Sequence, residues 1–200
     1  MAFRLSDPME SSPSPAEDPV DRWVRLLKSG APAERQKAIR QLVRLRAELP
    51  LVPCLQHPDP LTVGLAVNGL WECWLNEKGR NARKRINIGV AHMEASEFDE
   101  AGEAFLALMG DFPDWAEAVN KQATLHYLRG QPALSLTLCD QVVRMKPHHF
   151  GAWSGLGLCA AQLNQWARVR EAAQKGLDLI PSSDSSRHLL ALANEKLSDD

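Results

Sequence analysis

The chain has 200 residues, 44% of them hydrophobic, with 23 Lys and Arg against 25 Asp and Glu for a net charge of −2. That is enough apolar material for one large or two small packed cores, and the balanced charge argues against a dedicated nucleic-acid binder. No run approaches the roughly 20 apolar residues that span a bilayer, and the start MAFRLSDPMESSPSPAEDP lacks the apolar centre of a secretory signal, so a cytoplasmic protein without membrane contact is expected.

Residues 1–17 are rich in Ser, Pro and acids, the composition of a disordered tail. From Asp18 the chain reads as helix after helix. Trp23, Leu26 and Leu27 form a short apolar stripe stopped by Gly30. Pro32 opens a second segment in which Ala38, Ile39, Leu42, Val43, Leu45 and Leu49 recur at helical spacing, with Pro50 and Pro53 as its expected end. A third helix is expected over 59–77, with Pro60 in its first turn. Its apolar residues Val63, Ala66, Val67, Leu70, Trp71, Trp74 and Leu75 cover so wide a face that it must be sandwiched between neighbours. Gly79 closes the segment.

Within it, LQHPDPLTVGLAVNGL resembles the short helical repeats of the HEAT type, including those of phycobilin lyases. The resemblance lies in Asp59 and Pro60 followed by Val63, Ala66 and Leu70, and it marks 18–79 as a HEAT-like helical segment.

Pro113, Pro147 and Pro181 then stand at intervals of 34 residues, each after a helical stretch. In the same register, small residues fall at Gly89, Ala123 and Gly157, and turn residues at Ser96, Gly130 and Asn164. The second helices place Ala101, Ser135 and Val169, followed by Phe105, Cys139 and Ala173. A period of this length with a helix–turn–helix unit resembles the tetratricopeptide family. The resemblance implies an all-α superhelix with three repeats over 82–183 and a capping helix and tail over 184–200. Repeat one departs from the pattern at Arg85, where an apolar residue is usual, and repeat three at the small Ala173 and Gly176. Because single helix pairs cannot bury their own apolar faces, the HEAT-like helices are expected to extend the stack as one continuous solenoid.

The resemblance also places the first helix of each repeat along a concave groove. Asn120, Lys121, Thr124, Tyr127, Ser154, Leu158 and Gln162 are the expected partner-binding residues, with Val90, Met93, Glu94 and Leu128 beside them. NKQATLHYLRG and HHFGAWSGLGLC resemble a bacterial and plastid subtype of the repeat. Gly151, Ser154 and Gly155 there leave a helix face bare enough for a partner backbone, or for helix packing alone. The positions of the chaperone-tail clamp known in some members hold Ile86, Val90, Gly151 and Gly155, with only Lys121 cationic, so that clamp is largely absent.

Other constellations point elsewhere. The run RNARKR, Arg80 to Arg85, with Lys37, Arg40 and Arg44 on one side of the second helix, would suit a nucleic-acid adaptor, or simply a solvated face. Cys54, Cys73, Cys139 and Cys159 stand far apart without a CxxC pair, which suits buried free thiols. His148 and His149 lack the further ligands a metal needs and suit a turn or cap. With no phosphate loop, nucleophile elbow or carboxylate pair, the expectation is a non-enzymatic scaffold or assembly factor. It would hold a segment of another protein and need neither cofactor nor metal. A chromophore lyase-like factor is the alternative that the HEAT resemblance raises.

Overall fold

The computed structural model describes residues 17–198, in which every regular element is helical. The expected tail therefore lies outside the described residues except for Glu17, as do residues 199–200. The α-helices are α1 (Pro19–Ser29), α2 (Pro32–Arg44), α3 (Glu48–Leu51), α4 (Pro60–Leu75), α5 (Gly79–Glu94), α6 (Phe98–Asp111), α7 (Ala116–Leu128), α8 (Pro132–Met145), α9 (Phe150–Gln162), α10 (Trp166–Leu179) and α11 (Asp184–Ser198), with a 3-10 helix at Val52–Gln56.

Local chemistry sets these boundaries. Asp18 caps α1 and Asp59 caps α4, each side chain accepting a backbone N–H of the first turn, with Pro next in line where its missing N–H costs nothing. Three turns within the repeats share one construction. Ser96, Gly130 and Asn164 sit at φ 62°, 69° and 56°. The next residues, Glu97, Gln131 and Gln165, donate back to the carbonyls of His92, His126 and Ala160. That is a Schellman closure of each first helix.

The end of α2 was expected at Pro50 and Pro53, and the structure corrects this. Arg46 stands at φ 54° and Ala47 donates to the Leu42 carbonyl, so the same Schellman turn stops the helix at Arg44. Leu45 and Leu49, read as part of its apolar stripe, are 49% and 70% exposed. Pro50 and Pro53 instead lie within α3 and the 3-10 helix, at positions in or near a first turn where a proline is tolerated.

Helices α5 to α10 pair within and between repeats, and α11 packs on α10 and α9. In repeat one, the close approach needs a glycine: a Cβ on Gly89 would lie 2.6 Å from the buried Phe105 ring. In repeat three the equivalent Gly157 faces Leu189 and Ala172.

The placement of α1–α4 differs from a continuous stack. They build their own core from Leu27, Ala38, Leu42, Leu51, Leu55, Leu70 and Trp74, and this core also receives Phe150 and Ile180 from the repeats. The unit docks along the edge formed by the loops between repeats. Trp115 Nε1–H donates to the Trp74 carbonyl at 2.8 Å, Lys78 pairs with Asp114 at 2.7 Å, and Gln56 Nε2–H donates to the Asp178 carbonyl at 2.7 Å. Trp71 and Trp74 meet His149 and Phe150 at the start of α9, and Ile180 just after α10 joins the same core.

Candidate partner-binding groove

The first helices α7 and α9 lie side by side, with α8 between them in sequence and packed on both. Between them opens a cavity of about 180 Å³ lined by Asn120, Thr124, Tyr127, Ser154, Gly155 and Leu158, with Ser135 and Cys139 of α8 at its floor. Five of the seven expected binding residues thus converge on one space. Lys121 and Gln162 do not line it, and Gln162 is exposed at the end of α9.

Within that set the side chains divide. Asn120 is 6% exposed and donates a long 3.4 Å hydrogen bond to Glu117. Lys121 pairs with Glu117 at 3.0 Å and sits over the Trp71 ring at 5.3 Å. Thr124 donates its hydroxyl to the Asn120 carbonyl at 3.0 Å, which ties it to its own helix. Tyr127, Ser154 and Leu158 keep part of their surface open.

What holds α7 and α9 together beneath the groove was not legible as a site. Glu117 is fully buried, and His149, equally buried, lies 3.0 Å away. His149 Nδ1 accepts the Ala152 N–H at 3.1 Å, so its proton resides on Nε2 and is donated to the Glu117 carboxylate. Burial pushes the Glu117 carboxyl up, but the His149 hydrogen bond and the Lys121 charge outweigh it and keep it ionised. Trp74 stacks on His149 at 4.1 Å. The available signal was the 34-residue register, which puts His149 and Ser183 at one helix-capping position with Trp115.

Of the two uses left open for the bare helix face, Gly151 serves packing: a Cβ there would lie 2.6 Å from Trp71 Cη2. The N-terminal unit therefore closes one end of the groove, and Gly155 and Ser154 remain open beyond it.

A second polar junction anchors the same unit. Glu48 accepts from Trp74 Nε1–H at 2.8 Å, Lys146 at 2.6 Å and His148 at 2.5 Å. Burial raises its carboxyl, but these three partners bring it down to about 2. All four cysteines are free and buried. Among the described residues, no cluster of three or more His, Cys, Asp or Glu is placed to hold a metal ion, and no helix is long and apolar enough to cross a membrane.

The family model of the tetratricopeptide repeat matches residues 86–150 and again 120–184, two overlapping windows offset by 34 residues. Residues 86–184 are tetratricopeptide repeats. A TPR repeat-containing protein of Rhizobium etli is 29% identical over 85 residues, 42% of this chain and 42% of that protein. The match thus spans well under half the length of this curated relative. Among solved structures, the first TPR of Spaghetti (RPAP3) bound to the HSP90 peptide SRMEEVD is similar at 17% identity and a TM-score of 0.55, covering 57% of this chain and 90% of that one. The Sgt2 TPR domain from Aspergillus fumigatus follows at 21% identity and 0.54, covering 58% and 78%. MamA covers 89% of this chain and 80% of its own at 14% and 0.54. These similarities show the tetratricopeptide fold.

Proposed function

We propose that the chain is a protein-interaction scaffold or assembly factor that holds a segment of a partner protein in the groove between α7 and α9. The observation that carries this reading is the convergence of Asn120, Thr124, Tyr127, Ser154 and Leu158 on one cavity. Its walls mix hydroxyls and an apolar tip, as suits a peptide whose backbone and one or two side chains must both be satisfied. The chain divides on this reading into a HEAT-like unit over 18–79, repeats over 82–183 and a capping helix and tail over 184–200, the first unit bracing the groove.

The RPAP3 domain is bound to the acidic peptide SRMEEVD, but Lys121 beside this groove is held by Glu117 and Trp71. A neutral extended segment fits better. The nucleic-acid reading loses support because Arg83 pairs with Glu72 and Arg85 with Asp111.

Partner capture from native lysate tests the proposal in matched variants. Tyr127→Ala and Ser154→Trp should weaken capture of the same protein about tenfold or more, roughly 1.4 kcal/mol, with melting temperature unchanged. Charge reversal at Arg83, Lys84 and Arg85 should leave capture intact. The groove is not the site if both groove variants capture normally while the reversal abolishes capture.

A further inference from the structure

A second groove lies on the opposite unit, between α2 and α4, and it encloses about 360 Å³. Ile39, Val43 and Leu65 form its apolar floor, with Arg40 on one bank and Asn68 and Glu72 on the other. Of the α2 cations Arg40 lines the groove, and Lys37 and Arg44 lie beside it on the same helix. Lys37, Arg40 and Arg44 recur at i, i+3 and i+7 and are all exposed. Two other cations of this unit are held by carboxylates, Arg25 by Glu17 and Arg35 by Asp59. Lys37, Arg40 and Arg44 make no ion pair among the described residues, and Lys37 only overhangs the Trp23 ring at 5.9 Å. Across the groove, Glu72 is already engaged by Arg83 at 3.1 Å. The groove is thus apolar below, positive and unsatisfied along one side, and neutralised along the other.

We propose that this groove docks a short acidic amphipathic helix of a partner protein. The groove runs beside α2 from Gln36 to Val43, seven residue steps or about 10 Å, with its apolar floor at Ile39, Val43 and Leu65, so it has length for about two turns of a helix whose apolar side chains are spaced i, i+3 or i+4, and i+7. Lys37, Arg40 and Arg44 run parallel to it over the same length and meet carboxylates on one flank of that helix. Charge complementarity chooses the occupant. Three cations bordering a greasy floor suit an acidic peptide better than a phosphate backbone, which needs many cations and no apolar contact.

The test uses the full chain and a fluorescein-labelled synthetic helix of about two to three turns, with leucines at that spacing and glutamates on one flank. Binding should be saturable and weaken with salt. The glutamine counterpart of the peptide should bind about tenfold more weakly, as should Arg40→Glu with Arg44→Glu in the protein. Asn68→Trp, at an exposed position that overhangs the floor, should weaken binding by a similar factor with circular dichroism unchanged. Tyr127→Ala should leave this affinity alone, which separates the two grooves. Four outcomes would overturn the proposal. The first is no saturable binding, and the second is equal binding of the glutamine peptide. The third is tighter binding of a labelled DNA duplex than of the acidic helix. The fourth is equal competition by a synthetic peptide of residues 1–16, which would make the chain's own start the occupant.

Discussion

At the scale of single residues, Glu48 shows how one carboxylate can couple two parts of a chain. Its three partners come from α4 and from the loop after α8, so its charge acts across the docking surface. In the unfolded chain the group has an ordinary value of 4.5, and in the folded chain about 2. Between those values the unfolded state binds more protons, so stability falls as pH drops from about 4.5 towards 2 and is fully present above. A displacement of that size corresponds to at most roughly 3 kcal/mol. Glu48→Gln should therefore cost up to that amount in guanidinium unfolding at pH 7, with the gap to the parent closing at pH 2. A gap that stays constant over that range would mean that the carboxylate charge is not what stabilises the contact.

Among elements, helix pairing within a repeat depends on one small residue opposite one large one. Gly89 of α5 faces the fully buried ring of Phe105 on α6, and an added methyl has no room without moving that ring. Gly89→Ala should cost on the order of 1–3 kcal/mol by overpacking. Trimming the opposing ring in Gly89→Ala/Phe105→Leu should then cost less than the two single changes together. Additive costs in denaturant unfolding would show that the two positions do not meet. This pairing was legible in the sequence because it recurs: small-residue, turn and proline positions repeat at 34 residues, the first set by helix packing and the others by local backbone chemistry. The end of α2 was not legible, since a left-handed Arg46 carries no glycine or asparagine to announce it. The groove was half legible. Repeat register places Asn120 and Lys121 on the first helix, but register is silent on a buried Glu117 that draws both side chains towards itself. Nor does it reveal that Gly151 is already covered by Trp71, since their contact joins residues eighty positions apart.

For the whole molecule, the question is whether α1–α4 and the repeats unfold as one body. Their shared surface centres on Trp74, whose side chain is fully buried. Its ring stacks on His149 at 4.1 Å and meets Trp71 edge-on at 5.1 Å, while its carbonyl takes the Trp115 N–H. Around it lie the Glu48 junction and the apolar side chains of Phe150 and Ile180. Repeat arrays lose cooperativity where neighbours are weakly joined, so this joint decides how many transitions the chain shows. With the joint intact, tryptophan fluorescence and far-ultraviolet circular dichroism should report one coincident unfolding curve. Trp74→Ala removes the stacked ring and leaves a cavity, a loss of about 3–5 kcal/mol for a buried tryptophan. It also removes the stacked contact between His149 and the N-terminal unit, leaving only the edge-on Trp71 contact, while the Ala152 cap and the Glu117 bond keep α9 in place. The variant should therefore unfold in two steps, the N-terminal unit first, so that the fluorescence and dichroism curves separate. If Trp74→Ala melts lower but still in one coincident transition, coupling runs through the backbone and the loop contacts, and the tryptophan is only a core residue of its own unit.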